Sequence, residues 1–146
     1  MKYEDVYNLS KKYSPPKVNL RDAMIMDSYG DETYAKRSIQ HSKPEDVTRE
    51  DFDYYGWVYP FMKFEDLLYY LYPIAAEFEK DQTLDCIDGF MYSLDRALPS
   101  KKHLLEVADA AALNAALRWI WELGGDNAAD WRQCPNLQDE IGVSVE

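Results

Sequence analysis

The stretch KKHLLEVADAAALNAALRWIWEL, Lys101 to Leu123, decides the fold class. Leu104, Ala108, Ala112, Ala116, Trp119 and Leu123 recur at spacings of three and four, which is one face of an α-helix. Alanine in the middle of that stripe favours helix and lets a second helix approach closely. Ser100 is a suitable N-cap, and Gly124-Gly125 supplies a left-handed stop. The pattern predicts a long C-terminal helix over about 101–123, central to an all-α, compact helical domain.

Working back from it, Leu84, Ile87, Met91, Leu94 and Leu98 also repeat at helical spacing and predict a helix from Asp81 to Leu98, stopped by Pro99. Asp81, Asp85, Asp88 and Asp95 form a second stripe, roughly 120° from the apolar one at about 100° per residue. Before them, Phe52 to Tyr72 holds ten of the chain's aromatic residues, interrupted by Gly56 and Pro60. That block predicts a helix near 49–56, opened by Thr48, and another near 64–72. Pro73 either kinks the chain or opens a further helix from Ile74 to about Glu79.

The first fifty residues are less regular. Lys2 to Tyr13 reads as a short helix ended by Ser14-Pro15-Pro16, and Val18 to Met26 as a strand or a helical turn. Asp31 to Gln40 reads as a helix with Asp31 at its N-cap, followed by a polar connector from His41 to Val47. The tail from Asp126 packs Trp131 and frays. An α+β arrangement with a minor irregular N-terminal part is the alternative. The 146 residues suit a single domain, 1–146, large enough to fold without a disulfide or metal staple.

Charge is unevenly placed. Residues 1–50 carry nine Lys/Arg and nine Asp/Glu, whereas residues 51–146 carry seven against eighteen, so the whole net charge of −11 lies in the last two thirds. Such a surface repels phosphate backbones, which argues against nucleic acid, and it would draw in a basic protein. No apolar run suits a signal peptide or a membrane span, so no membrane association and a cytoplasmic location are expected. Cys86 and Cys134 stand far apart and read as reduced thiols, one of them in a core.

Motifs for bond-making chemistry are scarce. His41 reads as an exposed loop histidine beside Glu45 and Asp46. His103 with Glu106 and Asp109 is one histidine short of a usual zinc pattern and reads as a solvated helix start. The aspartate stripe could be a paired-carboxylate site, but a regular stripe is ordinarily a solvated face. Neither G-x-S-x-G nor a glycine-rich phosphate loop occurs. No catalytic residue, metal site or cofactor is expected.

The block Phe61-Met62-Lys63-Phe64-Glu65-Asp66-Leu67-Leu68-Tyr69-Tyr70-Leu71-Tyr72-Pro73-Ile74-Ala75 resembles one found in a loosely defined group of small, uncharacterised bacterial proteins, in which an aromatic or acidic lead-in precedes a Tyr-Leu-Pro-Ala-like step. The matching step here is Tyr70-Leu71-Tyr72-Pro73, with an extra tyrosine before the proline. The resemblance covers about a third of the chain. It implies a bacterial, helical, cytoplasmic protein and carries over no catalytic residue.

The aromatic block next to acids is the feature that points to function. Neighbouring residues on a helix diverge by about 100°, so one face cannot bury both members of Tyr54-Tyr55 or Tyr69-Tyr70. The expectation is an interaction module, an immunity- or antitoxin-like inhibitor of a basic protein partner. Its face would draw on Asp51, Asp53, Tyr54, Tyr55, Trp57, Glu65, Asp66, Tyr69, Tyr70, Asp81, Asp85 and Asp88. One alternative is a small ligand-binding domain or enzyme with a pocket lined by Trp57, Tyr69, Tyr70 and Trp119. A second alternative is a structural homo-oligomer that buries the aromatic block against itself.

Overall fold

In the computed structural model, residues 3–124, 131 and 133–142 are described. Among them there are seven α-helices joined by loops and short 3-10 turns, and no strand, so the fold is all-α. The helices are α1 (Glu4–Lys11), α2 (Leu20–Asp27), α3 (Arg49–Tyr54), α4 (Phe64–Lys80), α5 (Ile87–Lys101), α6 (Val107–Gly124) and α7 (Pro135–Ile141).

Local chemistry sets several of the helix starts. Asn19 accepts from the Asp22 amide at 2.9 Å and opens α2, which settles Val18 to Met26 as helix. Thr48 accepts from the Asp51 amide and opens α3, as its hydroxyl and the acids after it predict. At α7 the acceptor comes from another helix: Asp95 Oδ1 takes the Asn136 and Leu137 amides at 2.8 and 3.0 Å. Asp31 does accept from the Thr33 amide, but only a 3-10 turn, Glu32–Tyr34, follows it. No buried residue lies in that turn, so the expected helix over 31–40 has no apolar face to hold it down.

The centre of the fold is α4, not the C-terminal helix. Leu67, Leu68, Tyr69, Tyr70 and Leu71 are consecutive and all buried, followed by Ile74, Ala75 and Phe78. A helix buried on more than one face must be surrounded. Here α1, α5 and α6 pack on α4, together with the 3-10 turn at Pro44–Asp46. Helix α6 packs on α4, α1 and α7.

Two proline assignments are corrected. Pro73 and Pro99 lie inside α4 and α5, so the helices run to Lys80 and Lys101 instead of breaking. Proline in a helix removes one N–H and displaces the carbonyl four residues back. In α4 that strain falls next to Ser10, whose hydroxyl donates to the Leu68 carbonyl and accepts from the Tyr72 amide.

The long helix is likewise shorter than 101–123. Lys101 belongs to α5, Lys102–Leu104 is a 3-10 turn, and Leu105 is extended. Leu104 and Ala108, the first two members of the expected stripe, are exposed. The buried face begins later, with Ala112, Leu113, Ala116, Leu117 and Ile120. Trp119 is buried and stacks on Tyr3 with ring centroids 3.8 Å apart. Trp131 is buried too, as expected, edge-on to Trp121. Gly125 and the residues from Val143 onward lie outside the described residues.

Candidate functional site

The acid-rich aromatic region splits into a buried set and an exposed set. Tyr55, Tyr69 and Tyr70 are fully buried, and Asp51 and Asp66 nearly so. None of these five side chains can meet a partner in this fold, which corrects their expected place on a face. Tyr55 lies inward because its hydroxyl donates to the Arg37 carbonyl. Burial pushes the Tyr69 hydroxyl up to about 12 and raises that of Tyr70 as well. The adjacent-pair argument therefore holds at Tyr54-Tyr55, where Tyr54 is exposed, and fails at Tyr69-Tyr70, where α4 is covered from several sides.

Asp51 is the anchor of a small ionic cluster. Its carboxylate accepts from Arg37 Nε at 2.8 Å and the Thr48 amide at 3.0 Å, and lies 2.9 Å from His41 Nε2. The His41 and Asp51 side chains are each only 5% exposed. His41 is therefore a buried histidine and not the exposed loop residue its polar neighbours suggest. Among the described residues its Nδ1 has no hydrogen-bond partner. Burial pushes the Asp51 carboxyl up, but the Thr48 amide, Arg37 and His41 outweigh it and hold the group below the usual range. The cluster pins the loop before α3 to the helix.

Asp66 accepts from the Lys63 amide at 3.3 Å, and burial raises its pKa. It sits at a cleft of about 400 Å³ between the proline loop at Pro15 and Pro16 and the start of α4. Glu65, exposed, borders the same cleft.

The exposed set converges elsewhere. The turn after α3 presents Trp57, 68% exposed, and Tyr54, 43% exposed. Gly56 holds this turn against the start of α5, since a Cβ there would come within 3.1 Å of Cys86 Cβ and 3.0 Å of the Phe52 carbonyl. A side chain there would force the Phe52 carbonyl or Cys86 to give by a few tenths of an ångström. Arg49 then ties α3 to the loop after α4, with Nε 2.9 Å from Asp53 and a terminal nitrogen 3.3 Å from Asp81. Thr83 donates its hydroxyl to Asp81 at 2.7 Å and its amide at 3.0 Å, and these bonds lower the Asp81 pKa. Asp85 is exposed just before Cys86. Arg49 thus pairs with two carboxylates, Asp53 and Asp81, in a region that also exposes Asp85, Tyr54 and Trp57.

The expected aspartate stripe is not a stripe. Asp81 and Asp85 precede α5, and within it Asp88 is half-buried, accepting from the Trp131 indole N–H at 2.7 Å. Asp95 caps α7. Asp88 is thereby a structural acceptor and drops out of the face. Asp109, weighed with His103 and Glu106 as a metal group, is paired instead with Lys12 at 2.7 Å. Among the described residues no group of His, Cys, Asp and Glu has the arrangement of a metal site, and no helix is long and apolar enough to cross a membrane. The aromatic pocket considered as an alternative does not form: Tyr69, Tyr70 and Trp119 are packed in the core while Trp57 points outward.

Of the residues expected from the sequence, Trp57, Tyr54, Asp53, Asp81 and Asp85 are exposed. Arg49 is not among the expected residues, although its position four residues before Asp53 on a helix signals their pairing. Comparison with protein-family models, curated proteins and solved structures returns no match.

Proposed function

We propose that this protein is an interaction module that captures a basic protein, as an immunity- or antitoxin-like inhibitor would. The face used is the turn after α3 and the loop before α5: Tyr54, Trp57, Asp53, Asp81 and Asp85. The observation that carries the reading is Trp57, a large apolar side chain left 68% exposed on the turn after α3, where Gly56 abuts Cys86 next to Asp85. Tryptophan and tyrosine dominate interface hot spots, and a rim of one charge sign steers a partner of the other. The net charge of −11, concentrated after residue 50, supplies the long-range part of that attraction. Arg49 keeps Asp53 and Asp81 in place without neutralising the face.

The test is co-purification from the native lysate at low and at moderate salt, with wild type, Trp57→Ala and the triple variant Asp53→Asn, Asp81→Asn, Asp85→Asn. The reading expects one basic protein to be retained by wild type, lost with Trp57→Ala and weakened by salt and by the triple variant. Retention of nothing at low salt, or equal retention by all three proteins, overturns it.

A further inference from the structure

The cleft between the proline loop and the start of α4, about 400 Å³ in volume, shares no residue with the proposed interaction face. One wall is apolar and consists of Tyr13, Pro15, Pro16 and Val18. Tyr13, Pro16 and Val18 are half-buried, held by the protein on one side and open on the other. A proline fixes its own φ and restricts the residue before it, so the consecutive pair stiffens this wall. Neither proline has an N–H to repel a positive charge.

The opposite wall carries Asp66, only 8% exposed. Its Oδ2 accepts the Lys63 amide at 3.3 Å, which closes the start of α4. Its Oδ1 makes no hydrogen bond among the described residues, yet unlike the Tyr69 and Ser93 hydroxyls it is not sealed from solvent. Lys63 attracts this carboxylate without forming an ion pair with it, and exposed Glu65 adds a second negative charge at the same cleft. A carboxylate this buried is costly while one oxygen stays unmet. The surface of a protein partner cannot reach it, but a small molecule inside the cleft can.

We infer that this cleft binds a small organic ammonium ion with a flat apolar body. The ammonium group donates to Asp66 Oδ1, and Glu65 adds to the attraction. The body lies against Tyr13, Pro15 and Pro16, where the tyrosine ring also favours a cation. An apolar cleft with a few placed polar groups is the ordinary form of a small-molecule site, and this volume falls at the small end of the usual range of about 300–1,000 Å³. Lys17 and Lys63 border the cleft as exposed cations. Lys63 competes with the ligand for Asp66, so its removal should strengthen binding. The inference does not rest on capture of a basic protein, and either can fail alone.

The experiment is titration of the full-length, isotope-labelled protein with 2-phenylethylamine at neutral pH, read by backbone amide shifts, with 2-phenylethanol as the uncharged control. Saturable shifts are expected at Tyr13, Ser14, Lys17 and Val18 and from Lys63 to Leu67, and the alcohol should bind at least about tenfold more weakly. Asp66→Asn keeps an oxygen for the Lys63 amide while removing the charge, and should weaken the amine by at least about tenfold. Lys63→Gln, at an exposed position, should tighten it, which tests the site without touching a buried residue. Asp53→Asn, at the interaction face, should leave it unchanged. Absence of saturable shifts at these amides, equal binding of amine and alcohol, indifference to both Asp66→Asn and Lys63→Gln, or equal weakening by Asp53→Asn and Asp66→Asn overturns the inference.

Discussion

The Ser10 hydroxyl accepts the Tyr72 amide N–H at 3.0 Å and donates to the Leu68 carbonyl at 2.7 Å, so a side chain of α1 stands between two groups that bond each other in a regular helix. The inserted hydroxyl sits one residue before Pro73, which cannot donate and which pushes the helix open. Ser10 is fully buried. A neighbouring helix thus satisfies two backbone groups of the central helix in the turn that leads into its proline.

Ser10→Ala should remove about 1–3 kcal/mol of stability, since it strands a buried carbonyl or amide of α4. Urea unfolding at neutral pH measures it. A loss within a few tenths of a kcal/mol would mean that α4 closes its own ladder at this turn.

Asp51 ties the loop before α3 to the helix through Arg37 and His41. Its carboxyl pKa is lowered by the Thr48 amide, Arg37 and His41 against the opposing effect of burial. A carboxyl depressed in the folded state adds stability above its unfolded pKa, and that stability is lost as pH falls through the folded value. Asp51→Asn should therefore cost about 3 kcal/mol near neutral pH, and the gap to wild type should close below about pH 4. Parallel stability curves down through the acid range would contradict the assignment.

Much of this architecture is legible in the residues, and the failures have physical causes. Thr48 as a helix start, and the fact that Tyr54 and Tyr55 are not both buried, follow from local geometry alone. The burial of Tyr69 beside Tyr70 does not, because it depends on α1, α5 and α6 surrounding α4, which is tertiary. The new helix considered after Pro73 does not occur, since α4 runs through Pro73 to Lys80 among helices that surround it. The stripe through Leu104 and Ala108 extended a true helical period across a 3-10 turn. Sequence placed the candidate face on twelve residues; burial and hydrogen bonding reduce it to five exposed side chains, Glu65 standing apart at another cleft.

Both cysteines are free and buried, and burial pushes each thiol up to about 12. Thiolate, not thiol, is the reactive form. Native protein at about pH 8 should show almost no labelling by a thiol reagent, and denatured protein should show two equivalents. Fast native labelling of either would place it at a surface that opens readily.

Of the four tryptophans, Trp119, Trp121 and Trp131 are buried and Trp57 alone is open to solvent. Acrylamide should quench one fraction of the fluorescence steeply and the rest weakly. Trp57→Phe should abolish the steep fraction while changing stability by no more than about 0.5 kcal/mol, as a surface substitution does. The same probe reads the interaction face: a basic protein docking on Tyr54 and Trp57 should shield the quenchable fraction in wild type. Shielding should fade as salt rises, because the carboxylates at Asp53, Asp81 and Asp85 act through an exposed and screened field. A partner that binds while leaving Trp57 fully quenchable would move the docking site off this turn.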